Sequence, residues 1–246
     1  MKDQYVGDVG DYTKLALLRV VEGAGFSLGM NWYLTPDDSG SKDGRHIGYL
    51  DSSCDTPDKD LYDGLHGIVK KKQSRNVKSL MDSGLLKTRL FHDDRLDFSA
   101  EDRWEIRYDW HKKALVSLRE ASVVFLDPDN GFIPDGVGPY SKYGNKYVTY
   151  EEVADYYNNG KSVIVYNHGD RSSKEKYINR LTRVTKLCSV PIDNLICIHA
   201  PRYSPRDYLF LMRSIDDFKK MKASLDKMLG TGWNRYLRYT ELYDPC

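Results

Sequence analysis

Two short, almost wholly apolar runs stand out in the second half of the chain. Ser122–Leu126 (SVVFL) stops at Asp127, and Ser162–Tyr166 (SVIVY) stops at Asn167 and His168. Runs this short, β-branched and ended by polar residues, predict buried parallel strands. Leu195–Ile198, ending at His199, predicts a third, Tyr208–Met212 a fourth and Met30–Thr35 a fifth, with Ile47–Leu50 as a short extension. Helical spacing fills the intervals. Lys14–Glu22 runs into Gly23 and Gly25, a stop signal, and Glu151–Asn158 and Ser173–Leu187 each separate two strands. Trp104, Tyr108, His111, Leu115 and Leu118 recur on one helical face, which is expected to be the buried one. Alternation of this kind predicts a single α/β domain over residues 1–246 with a mainly parallel sheet and helices on both faces. The segments 36–44 and 131–146, rich in Gly, Pro, Ser and Asp, read as loops over the end of the sheet where such folds place ligands.

Composition removes classes without naming a function. Lys and Arg number 37 against 36 Asp and Glu, a net charge of +1, which argues against a strongly basic nucleic-acid coat and an acidic tail. No apolar run approaches the roughly 20 residues of a membrane span, and the opening MKDQYVGDVG lacks the apolar core of a signal peptide. Cys54, Cys188, Cys197 and Cys246 show no CxxC spacing, so neither a zinc cluster nor a disulfide framework is expected and a reducing cytoplasm is the simplest setting.

Candidate chemistry gathers where strands end. In FLDPDNGF (125–132), Asp127, Asp129 and Asn130 follow a strand directly; Pro128 restricts the backbone and Gly131 permits a tight turn. These side chains either enter one crevice or only cap a loop. In YNHGDR (166–171), His168 is a base or metal ligand and Arg171 a phosphate clamp, unless His168 caps the next helix and Arg171 pairs with Asp170 or Glu175. In GDVGDYTK (7–14), Asp11 is placed to cap a helix, while Asp8 and Lys14 are left for a ligand at the helix N-terminus. His199, Arg202, Tyr203 and Arg206 follow a further strand as a cationic rim for phosphates or as a solvated loop; Lys70–Lys72 with Arg75 and Lys78 reads as a solvated helical face, and His46 and His92 stand isolated.

Together these clusters resemble the ribosomal-RNA adenine-N6 methyltransferases that carry an Asp-Pro-Pro-Tyr motif. GDVGDYTK is similar to their N-terminal Gly-Asn-x-Ala-Asp-x-x-Lys stretch at Gly7, Asp8, Asp11 and Lys14, with Asp8 in place of Asn, and FLDPDNG matches at Asp127 and Pro128. Asp129 and Asn130 replace Pro-Tyr, and no Gly-x-Gly follows WYLT. The resemblance implies a Rossmann-like, methyltransferase-like sheet, S-adenosylmethionine as cofactor and a nucleic acid or nucleotide as substrate. It implies that Asp127, Asp129 and Asn130 orient a target amino group beside His168 and Lys14. Lys14, Arg171 and Arg202 would hold phosphates, and Asp8, Asp11 and Asp51 the cofactor. Two alternatives stay open. One is a Mg²⁺-dependent phosphodiesterase, nuclease or nucleotide hydrolase with Asp127 and Asp129 as metal ligands; the other is a non-catalytic nucleotide- or partner-binding protein.

Overall fold

In the computed structural model, residues 1–37, 44–51, 56–71, 74–169, 174–191 and 194–240 are described. The short apolar runs are strands: β1 (Leu28–Asn31), β3 (Val123–Leu126), β4 (Ser162–His168), β5 (Leu195–Ala200) and β6 (Arg206–Leu211). Two more, β2 (Leu90–His92) and β7 (Arg238–Tyr239), complete a seven-stranded sheet in the order β2-β1-β3-β4-β6-β5-β7.

β2, β1, β3 and β4 are mutually parallel, whereas β6 runs antiparallel to both β4 and β5, and β7 antiparallel to β5. The sheet is therefore mixed, with a parallel core of β2, β1, β3 and β4 and antiparallel pairing from β4 outward. β6 is buried on both faces like its neighbours, so its apolar run does not distinguish it from a parallel strand. From β1 the chain moves outward to β2, then returns to β3 on the other side, so the order reverses between β1 and β3. Open α/β sheets bind ligands at such a reversal, beyond the carboxyl ends of the strands.

The period-two alternation of a strand sends successive side chains to opposite faces, and two cores result. On one face Met30, Phe125, Ile164, Tyr208 and Phe210 pack with α1 (Val9–Gly23), α2 (Lys59–His66) and α7 (Ile215–Leu229). On the other, Val124, Leu126, Val163, Val165, Leu209 and Leu211 pack with α4 (Arg103–Ser117), α5 (Tyr150–Asn158) and α6 (Lys174–Cys188). The short helix α3 (Val77–Asp82) adds Val77 and Leu80 to the first core. Residues 48–51, expected as a strand extension, form a 3-10 helix, and the strand expected over 30–35 ends at Asn31. No helix among the described residues is long and apolar enough to cross a membrane.

Helix α4 lies where the spacing puts it, but with a different face inward. Trp104 and Tyr108 are 57% and 54% exposed, while Arg107, Trp110 and Ala114 are buried. The reason is an ion pair. Arg107 meets Glu152 at two points, Nε to Oε1 and Nη2 to Oε2, both 2.7 Å, and donates its remaining N–H groups to the carbonyls of Pro139, Gly144 and Tyr147. Glu152 also closes a capping box with Thr149 at the start of α5 and accepts from Tyr33 Oη. A guanidinium with all its donors satisfied is stable inside, so it outcompetes the aromatic stripe for the interior.

Arg107→Met should leave the Glu152 carboxylate buried and uncompensated and cost about 3–5 kcal/mol. Urea denaturation checks this, and Arg107→Met combined with Glu152→Gln should regain part of the loss.

Candidate functional site: a polar cleft at the carboxyl edge of the sheet

The loops beyond β3 and β4 and the first turn of α1 enclose a cleft of about 470 Å³. Pleat parity selects its lining. Asp127 continues the face of Val123 and Phe125, His168 that of Ile164 and Tyr166, and Arg206 that of Tyr208 and Phe210, all toward α1. α1 contributes Asp8, Gly10, Asp11 and Lys14. The cleft thus unites Asp8, Asp11, Lys14, Asp127, Asp129, Asn130 and His168 with Tyr203 and Arg206 of the expected cationic rim, and adds Tyr166, Arg45 and His46, to which the sequence gives no role.

Its floor is a buried charge cluster. Lys14 Nζ lies 2.6 Å from Asp11 Oδ1 and 2.7 Å from Asp127 Oδ2, and over the Trp32 ring at 5.3 Å. Burial would drive Lys14 to lose its proton, but the two carboxylates more than offset this and hold its pKa above the ordinary lysine value. Burial raises the pKa of Asp127 against the opposing pull of Lys14. At Asp129 burial also pushes upward, yet the Met1 ammonium at 2.8 Å and Lys2 Nζ at 3.4 Å prevail, and its pKa falls. The turn that carries these acids needs glycine at 131: its φ is +89°, and a Cβ there would fall 2.3 Å from Asn167 Oδ1, which accepts from Phe132 N–H.

Asp8, not Asp11, is the N-cap of α1. Asp8 Oδ1 accepts from Asp11 N–H at 3.0 Å, while Asp11 Oδ2 accepts from Gly7 N–H at 2.9 Å. Burial, then the charge of Asp11, raises the Asp8 pKa to about 6, although Arg206 pulls it down. Gly10 makes room for that arginine, since a Cβ there would lie 2.2 Å from Arg206 Nη1. Arg206 also donates to the carbonyls of Ser204 and Arg202, both at 3.0 Å, and so fixes the β5–β6 connection as well. His168 Nδ1 lies 3.1 Å from Tyr166 Oη.

Other sequence candidates fall elsewhere. Asp51 sits exposed on its 3-10 helix, 2.9 Å from Lys70 Nζ, and does not line the cleft. The residues before it form that 3-10 helix and not the expected strand end, so nothing carries it to the sheet edge. Arg202 is exposed with its guanidinium 4.2 Å from the Tyr236 ring. His199, next to last in β5, reaches the same edge but on the opposite face, where its Nδ1 lies 2.7 Å from Asp207 Oδ1. Asp170 and Arg171 lie outside the described residues, as do Cys54 and Cys246; Cys188 and Cys197 are buried free thiols.

The donor set does not suit a divalent cation. Asp127 and Asp129 each already neutralise an internal ammonium, and among the described residues no group of three His, Cys, Asp or Glu is placed to hold a metal. No family model, curated protein or solved structure matches the chain.

Two outcomes follow from the raised pKa of Asp8. The folded state holds a proton that the unfolded chain releases above 3.8, so this contribution to stability is fully present below 3.8 and is lost as pH rises through about 6. Asp8→Asn should flatten that part of the stability–pH curve, as denaturant melts at pH 5 and pH 8 will read. Gly10→Ala should displace the arginine tip while leaving the helix formed, and an NMR titration of the Asp8 carboxyl should then give a pKa above that of the unsubstituted protein.

Proposed function

We propose that the chain is a nucleic-acid- or nucleotide-acting enzyme on a methyltransferase-like, Rossmann-like scaffold, with S-adenosylmethionine as methyl donor. The observation that carries this reading is the position of the cleft. It lies beyond the carboxyl ends of β3 and β4, beside the reversal of strand order, and is lined by the residues of both motifs that resemble the methyltransferase family. A volume of about 470 Å³ suits a ligand of nucleotide size.

The acceptor-rich lining suits a cationic cofactor and an amino-bearing substrate. The cofactor, when bound, supplies an electrophilic methyl group; the chain's residues supply position and proton acceptance. Asp127 is held by Lys14 at 2.7 Å, so it is fixed in place to accept from a target amino group. Asn130, next to it in the lining, adds a carbonyl acceptor. An amino group that gains a substituent must shed a proton, and Asp8, with a pKa of about 6, is matched to receive it near neutral pH.

The metal-dependent hydrolase reading is the weaker one, because removing Lys14 or Lys2 from its carboxylate to admit Mg²⁺ would strand a buried charge.

A thermal-shift panel tests the reading. S-adenosylmethionine or its demethylated product at about 100 times Kd should raise Tm by about 5–10 °C, while Mg²⁺, Mn²⁺ and EDTA should leave it unchanged. A shift with metals alone would overturn the proposal. Asp127→Asn should abolish methyl transfer to an oligonucleotide or nucleotide and keep the fold, because Lys14 retains Asp11 at 2.6 Å.

A further inference from the structure

We infer that the outer lip of the cleft, formed by Tyr203 with His46 behind it, is a stacking subsite for the nucleobase of the ligand. The inference rests on the nucleotide reading of the cleft and adds which part of the ligand lies at its mouth.

Tyr203 lines the cleft yet is 63% exposed, the largest exposure of any bulky hydrophobic side chain among the described residues. Its φ is +62°, in the left-handed region that a bulky residue adopts only when its surroundings impose it. Such outliers concentrate where a side chain must be presented in a fixed direction. Here the imposing contacts are identifiable. Arg206 donates to the carbonyls on either side of Tyr203, those of Arg202 and Ser204, and the Arg202 guanidinium is itself packed on Tyr236. The His46 ring stands 4.5 Å from the Tyr203 ring at an interplanar angle of 30°. His46 is anchored in turn, because its carbonyl accepts from Val9 N–H in the first turn of α1.

Two segments far apart in the chain thus hold a flat aromatic surface rigidly in water at the entrance of a polar cavity. A ring presented in that way gains most from another π-face, since ring-on-ring contact adds to simple burial. A purely aliphatic ligand is not favoured, because the cavity behind the lip presents the polar groups of Asp8, Asp127, Asn130 and His168, which such a ligand would leave without partners. A base joined to a sugar and phosphate satisfies both demands: the base on Tyr203 with its amino-bearing edge turned inward to the acceptors Asp127 and Asn130, and a phosphate within the field of the exposed Arg45 on the same lip.

The test uses the full chain with 2-aminopurine riboside 5′-monophosphate, whose fluorescence falls on stacking, and ribose 5-phosphate as a competitor lacking the base. The variants are Tyr203→Phe, which keeps the ring, and Tyr203→Gly, which removes it and suits the left-handed backbone, so folding is preserved. We expect quenching and unchanged affinity with Tyr203→Phe. With Tyr203→Gly we expect nucleotide affinity to fall roughly 5- to 100-fold and ribose 5-phosphate affinity to stay constant. A Tyr203→Gly protein that binds the nucleotide as tightly as the unsubstituted chain, or that loses ribose 5-phosphate to the same extent, overturns the subsite while leaving the nucleotide reading standing. An unsubstituted chain that binds neither compound overturns both.

Discussion

The structure turns on one buried ammonium. Lys14 reaches from the second turn of α1 to the end of β3, where Asp11 and Asp127 hold it at 2.6 and 2.7 Å. An isolated charge in that position would cost several kcal/mol in desolvation. Three charged groups in contact carry the burden together, and the geometry is over-determined as a result. The helix cannot slide along the sheet without breaking a contact that nothing nearby can replace. Everything that lines the cleft from α1, including the Asp8 cap and the gap at Gly10, takes its position from that link.

A second constraint is parity. Because strand side chains alternate, the cleft draws every other residue from the carboxyl edge, and its intervening neighbours go to the far side. Asn167 lies between Tyr166 and His168 but supports the Gly131 turn instead, and Asp207 follows Arg206 but meets His199. The same alternation that builds two cores therefore divides the polar residues into a lining and a support. The pKa of Asp8 is raised by its burial and the neighbouring Asp11 charge, whereas at Asp129 the Met1 ammonium and Lys2 overcome burial and lower the pKa.

Much of this was legible from the chain. β3, β4 and β5 announce themselves as short buried runs, and of the residues that stop the first two, Asp127 and His168 reach the cleft. What was hidden has physical reasons. β2 is three residues long, Leu-Phe-His, too short for any period to show, and without it Asp51 took the place next to a strand. The inward face of α4 was concealed because its key residue is an arginine, whose burial depends on Glu152, a partner 45 residues away. The role of Arg206 is blurred in the sequence because it precedes the apolar run Tyr208–Met212; only the reversal of β6 brings a strand's first residue to the edge where its parallel neighbours finish. His46 looked isolated because its aromatic partner lies more than 150 positions further along.

That reversal has a consequence for how this cleft can change. Parallel neighbours are joined by long crossovers that pass over a face of the sheet, so altering their ends disturbs helices and cores. β5 and β6 are joined at the cleft edge by the five residues Pro201–Pro205, a hairpin that crosses nothing. The lip is consequently a detachable module. Changes in its length or composition meet no crossover helix and neither core, while the charge cluster at the floor stays fixed.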